Sequence, residues 1–151
     1  MIIIQDTREQ NPLIFISPEV VEVEITKLIV GDYSAILADG YRSQTIFERK
    51  SIGDVFGTLT KDYGRFKEEV LRARDNGITL IIIIEGSLSK VLAGFKHSGV
   101  KGISIIKTLF TLWIRYGIHP VFCKDREEMS EFIIHYFAAE KRNHLATKKE
   151  E

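Results

Sequence analysis

Acidic residues stand beside apolar runs at three places in the first half of the chain. They are Asp6-Thr7-Arg8-Glu9, Gly31-Asp32-Tyr33 and Glu48-Arg49-Lys50, the last followed by Asp54. Carboxylates at the ends of several strands, with a lysine two positions after one of them, can hold a divalent cation and activate a water beside it. That is the chemistry of phosphodiester hydrolysis. Successive side chains on a strand point to opposite faces, so Glu48 and Lys50 share one side and Arg49 takes the other. Asp32 and Glu48 would offer hard oxygen ligands to magnesium, which keeps several waters and bridges to phosphate. A metal-bound water gives up its proton more readily, and Lys50 would orient it or stabilise charge in the transition state. Each feature alone has a plainer reading. An E-x-K triplet can be a solvated strand end with a local ion pair, and Gly-Asp is ordinary turn chemistry. Together, and with Asp6 and Glu9, they point to a site.

The elements that must position these groups read as α/β. Ile2 to Gln5 is a short apolar run ending at Asp6, as a buried strand would. Asn11-Pro12 and Ser17-Pro18 punctuate a loop. Val21 to Ile25 alternates at period two, which predicts one buried and one solvated face. Lys27 to Leu37 and Thr45 to Glu48 read as strands joined across Ala38-Asp39-Gly40. After Lys50 the period becomes helical: Tyr63, Phe66, Val70 and Ala73 line up, and Asn76-Gly77 is a C-terminal stop. Thr79 to Ile84 is apolar on both faces and predicts a central strand covered by helices on each side. Gly86 to Gly102 is rich in glycine and lysine, with room for one short helix. Helices over 103–116 and 126–139 flank a strand at 119–122 that Pro120 pushes to an edge. Residues 141–151 read as a polar, flexible tail after a domain spanning 1–140.

Composition limits the alternatives. A chain of 151 residues, 44% hydrophobic and 28% charged, can bury a single domain's core. Lys and Arg number 21, as do Asp and Glu, so no global field advertises nucleic acid. That argues against a non-specific DNA coater. It leaves room for a nuclease, whose acidic site offsets a basic rim. The lone Cys123 excludes an intrachain disulfide and fits a reducing cytosol or nucleus rather than secretion. The aliphatic stretch from Leu80 to Ile84 is far too short for a membrane span, and Met1 to Asp6 is no signal peptide. The histidines at 97, 119, 135 and 144 lack zinc spacing. Lys90, Lys96 and Lys101 are open to two readings, phosphate contacts or a solvated loop.

Gly31-Asp32, fifteen intervening residues, Glu48-Arg49-Lys50, three residues and Asp54 together resemble the signature of the XPF/Hef-type structure-specific endonucleases. Asp6-Thr7-Arg8-Glu9 is similar to that family's upstream D-x-R-E, Ile84 to Leu88 to its E-G-S-L strand end, and Gly64-Arg65-Phe66 to the start of its next helix. The resemblance runs in order from residue 2 to 140. It implies a restriction-endonuclease-like fold, a mixed central sheet flanked by helices. It also implies a Mg2+ or Mn2+ cofactor and cleavage of branched DNA near single-strand/double-strand junctions. Asp32, Glu48 and Lys50 take the core positions, and Asp6 and Glu9 are implied as further acids and metal ligands. Arg49 and Asp54 match motif positions, with Arg49 bracing the site or meeting DNA. Arg8 either contacts phosphate or pairs with a motif carboxylate. Lys61 and Arg65, one turn apart, form a candidate DNA-binding face, or simply a solvated one. Members of the family usually carry a helix-hairpin-helix module after the nuclease domain, for which these residues leave no room, so the branched-DNA preference is carried by analogy.

The predicted helix at 103–116 is apolar over an arc of about 200°, wider than one core needs. One stripe is Ile103, Ile106, Phe110, Trp113 and Ile114; the other is Ile105, Leu109, Leu112 and Tyr116. If the sheet covers the first, the second either packs on the helix at 126–139 or meets a partner. The resemblance implies a homodimer through these helices. Two other functions compete with the endonuclease. A non-catalytic DNA-binding or scaffold subunit would be expected to lose the acid or lysine positions, which this chain keeps. A sequence-specific restriction enzyme would share the same catalytic core.

Overall fold

The computed structural model describes residues 1–151. Six strands, β1 (Ile2–Gln5), β2 (Glu22–Ile25), β3 (Tyr33–Ile36), β4 (Thr45–Ser51), β5 (Thr79–Glu85) and β6 (His119–Cys123), form one mixed sheet in the order β2-β1-β3-β4-β5-β6. All run parallel except β3. One edge of the sheet therefore collects the C-terminal ends of β1, β4, β5 and β6 together with the start of β3. Every acidic motif lies there.

Five helices cover the two faces: α1 (Ile52–Thr58), α2 (Tyr63–Asp75), α3 (Leu88–Leu92), α4 (Gly102–Tyr116) and α5 (Arg126–Glu150). Leu80, Ile82 and Ile84 of β5 pack into a core with α1, α2 and α4. Ile81 and Ile83 pack into a second core with Met129, Ile133 and Phe137 of α5. β5 is thus the doubly covered strand its unbroken apolar run predicts, and each buried Ile or Leu contributes about 1.5–3 kcal/mol. β6 pairs only with β5 and forms one edge.

Several elements depart from the sequence reading. The strand expected over 27–37 is confined to 33–36, because Gly31 turns the backbone at φ +72. β2 lies at the other edge, where the core on the α5 face ends at β1. Its expected inward residues Val21 and Ile25 are consequently 76% and 65% exposed. α1 is a separate helix, so Lys61 sits in the turn before α2 rather than one turn down a shared face with Arg65. Residues 141–150, expected to leave the domain as a tail, continue α5. His144 stacks on Tyr41 at 4.0 Å and Lys148 pairs with Asp39 at 3.4 Å.

The largest correction concerns α4. Its buried stripe is Ile105, Leu109 and Leu112, joined by Ile106, and the exposed one is Ile103, Phe110, Trp113 and Ile114. Gly102 explains the choice. A Cβ there would stand 2.1 Å from the Val91 carbonyl oxygen, so this side of α4 is pressed onto α3. Residues 105, 109 and 112 follow on that side and turn inward. α4 and α5 lie on opposite faces of the sheet, so they do not bury one another.

Candidate active site

Gly31 and Asp32 are positioned by what glycine alone allows. A Cβ on Gly31 would stand 2.5 Å from Ile46 Cγ2 and 3.2 Å from the Phe47 carbonyl oxygen, and its φ disfavours any L side chain. The chain can therefore press close to β4. Asp32 N–H then donates to Phe47 O at 2.8 Å, and Asp6 N–H donates to Asp32 O at 2.8 Å. The Arg49 N–H donates to Asp32 Oδ2 at 2.7 Å, which holds the carboxylate against the backbone at Glu48-Arg49.

Glu48 and Lys50 project together on the α1/α2 side of β4, as the pleat requires. Lys50 Nζ lies 3.2 Å from Glu48 Oε1. Burial pushes the Glu48 carboxyl up to about 8, and the neighbouring Asp32 charge adds to the rise. Burial likewise pushes Asp32 up to about 6, against the Arg49 N–H bond that lowers it. Buried Glu48 and half-buried Asp32, side by side where β3 meets β4, form a site short of positive charge. Half-buried Glu69 of α2, between Phe66 and Val70 on the sheet-facing side, adds negative charge toward both Glu48 and Arg8. No motif marks Glu69 in the sequence; only the packing of α2 on the sheet, against β5 beside β4, brings it in.

The raised Glu48 value has a consequence for stability. A carboxyl whose folded value lies above its unfolded one contributes stability below about pH 4, which is lost as pH rises through about 8. Glu48→Gln keeps the shape and removes that cost. In chelator at pH 8.5 it is expected to melt several degrees above wild type, at about 2–4 °C per kcal/mol for a chain of this size. The difference should shrink at pH 5. Thermal unfolding at both pH values tests this, and a variant melting at or below wild type at pH 8.5 would contradict it.

Asp6 and Glu9 are placed differently from the expectation that they ligate metal. Asp6 accepts bonds from Arg8 Nε at 2.7 Å, Arg8 N at 2.9 Å, Arg8 Nη2 at 3.2 Å and Leu28 N at 2.7 Å. Burial would raise its carboxyl, but these bonds outweigh burial and hold it below the ordinary value. Glu9 forms a forked pair with Arg49, at 3.0 and 2.8 Å, and also accepts from Asn11 N. Burial raises Glu9 and the Arg49 bonds reverse it. Both carboxylates already have cations and donors on their oxygens. They work as braces. The Asp6–Arg8 pair pins Leu28 ahead of Gly31, and Glu9–Arg49 fixes the opposite face of β4. Of the two readings for Arg8, the structure takes the carboxylate pair.

Asp54 caps α1. Its N–H donates to Ser51 Oγ at 3.1 Å and its carboxylate accepts from Ser51 N at 3.4 Å, a capping box that sets the helix directly after β4. Lys61 and Arg65 are exposed and have no carboxylate within 4.0 Å.

No group of three or more His, Cys, Asp or Glu side chains is gathered closely enough to ligate one ion among themselves. Asp32 and Glu48 remain as a pair of under-neutralised oxygen donors. That donor set fits magnesium or manganese, which take one or two carboxylates and complete the shell with water and substrate phosphate. No helix is long and apolar enough to cross a membrane.

The ERCC4 domain model matches residues 5–136. The fold is similar to XPF from Aeropyrum pernix, with TM-score 0.69 and 23% identity over 99% of this chain and 69% of that one. The same protein in complex with DNA superposes with TM-score 0.65, at 23% identity over 98% of this chain and 66% of that one. No curated protein matches the sequence.

Proposed function

The chain belongs to the ERCC4 domain family, and from that membership we propose that it is a divalent-metal-dependent DNA endonuclease cutting branched DNA near single-strand/double-strand junctions. The observation that carries the reading is Asp32, directly before β3, held at 2.7 Å by the Arg49 N–H next to Glu48 of β4, with Lys50 3.2 Å from Glu48. Asp32 and Glu48 would hold Mg2+ or Mn2+. The bound ion supplies Lewis-acid stabilisation of a phosphate oxygen and a more acidic water. Lys50 Nζ, on the same face, orients the attacking water or offsets charge on the phosphate. Arg49 keeps the strand end in register through Glu9. DNA as substrate is supported by the Aeropyrum pernix protein having been solved with DNA. Work on DNA suits a cytoplasmic or nuclear setting.

A non-catalytic subunit is disfavoured because every carboxylate and lysine of the motif is present. A restriction-type enzyme differs in substrate. End-labelled linear duplex, fork, flap and hairpin, incubated with Mg2+ or with chelator, separate these readings. Metal-dependent cuts near the junctions of forks and flaps are expected. Cutting of linear duplex at a fixed sequence would favour the restriction reading, and no cutting in any metal would favour the subunit.

We also propose a two-fold homodimer, on a surface revised from the sequence expectation. Ile103, Phe110, Trp113 and Ile114 of α4 form an exposed apolar stripe, and Trp113 meets His119 of edge strand β6 at 5.0 Å. A contiguous apolar patch beside an open sheet edge suits an isologous contact. Trp113→Glu with Ile114→Glu is expected to give a monomer of 17.3 kDa by light scattering, with wild type at twice that mass. Wild type remaining at one chain's mass throughout the micromolar range would end this proposal.

A further inference from the structure

Beside α1 lies a hollow of about 350 Å³ lined by Gly53, Thr60, Lys61, Phe95, His97 and Ser98 among others. Phe95 forms its wall. A Cβ on Gly53 would stand 3.1 Å from Phe95 Cζ, and the Phe56 ring lies 5.9 Å away, so the ring is wedged onto the helix. The exposed His97 ring stands 5.3 Å from Phe95 at 72°, so two flat rings make a corner. Lys61 is exposed and carries no ion pair. A second hollow of about 610 Å³ shares Phe95, Ser98 and Gly99, and it adds Lys96 and Lys101 on the other side of the loop. Flat rings next to unpaired cations provide a stacking surface with a phosphate contact beside it.

The position of the corner matters as much as its chemistry. α1 follows directly on β4 and is seven residues long, about 10 Å at 1.5 Å per residue. Gly53 at its start and Lys61 just past its end both line the corner, so the corner runs along the helix that leaves the Glu48-Lys50 strand end. A base inside a duplex shows only its edges, whereas a ring corner takes a base by its face.

We propose that this corner binds an unpaired nucleotide of the DNA strand running from the scissile bond, with its base against His97 and Phe95 and its phosphate against Lys61. The proposal rests on the endonuclease reading and extends it, because it locates one source of preference for single-strand/double-strand junctions. The test is binding in an Asp32→Asn background, which prevents cutting. Fluorescence anisotropy would compare a fork having an unpaired arm with a blunt duplex of equal length.

His97→Ala is expected to weaken fork binding about five- to tenfold, the lower range for loss of one stacked base, with duplex binding unchanged. His97→Phe should restore the fork. Lys61→Ala should flatten the fork's dependence of log affinity on log salt by about 0.7, one single-strand phosphate. Wild-type fork affinity in His97→Ala would overturn the corner, as would equal losses on fork and duplex. If the Asp32→Asn parent binds neither DNA, the endonuclease reading itself fails and the corner falls with it. A parent that binds the fork isolates the corner as the thing tested.

Discussion

Asp32→Asn is expected to leave no detectable cleavage of fork, flap or duplex, a loss of at least about 10³-fold, while the protein stays folded. Asparagine keeps the carbonyl oxygen that accepts the Arg49 N–H, so the 2.7 Å contact between β3 and β4 can persist. What disappears is the negative charge. With only Asp32 and Glu48 offering under-neutralised oxygens, removing one halves the protein's share of the metal shell. Asp6 and Glu9 cannot substitute, because Arg8 and Arg49 already occupy them. The substitution also removes one of two like charges in a buried site, so the metal-free variant should be no less stable than wild type. Single-turnover cleavage with Mg2+, alongside a melting curve, tests both statements. Turnover like wild type in a folded Asp32→Asn protein would eliminate this ligand pair.

Lys50→Ala should slow cleavage by about 10²- to 10⁴-fold, the range for a positioned proton-transfer or charge-stabilising group. Lys50 is the ammonium that offsets Glu48, at 3.2 Å, and its side chain is 19% exposed, enough to reach a phosphate. DNA affinity should fall much less, since one phosphate contact among several carries little of the total. Alanine also leaves Glu48 facing Asp32 and Glu69 without its cation, so the metal requirement is expected to rise. Titrating Mg2+ in cleavage and DNA in binding separates these effects. Parallel loss of binding and cleavage would make Lys50 a docking residue and remove it from the chemistry.

The α/β class, the doubly covered β5 and the edge position of β6 were legible in the sequence because each rests on a local pattern. An unbroken run from Leu80 to Ile84 has no face that water can take, and Pro120 lacks the donor a central strand needs. The pairing of Glu48 and Lys50 on one side follows from the pleat, so it too could be read residue by residue. Asp54 was read as a motif acid alone, whereas in the fold it closes a capping box with Ser51, and spacing cannot distinguish the two roles. β2 misled because alternation reports a face that could be buried. Whether anything covers it depends on where the strand falls in the sheet.

The sequence by itself determined which residues could do chemistry and which strands carry them, because motif and period are properties of neighbours along the chain. Tertiary structure alone decided which carboxylates remain available. Glu9 was spent on Arg49 through a contact spanning forty residues, Asp6 gained the Leu28 N–H from twenty-two residues on besides its neighbour Arg8, and Glu69 joined the site only because α2 packs against β5 beside β4. It also decided which apolar stripe of α4 faces water. Two stripes of nearly equal hydrophobicity gain about the same from burial, so the close approach of Gly102 to α3 chose between them.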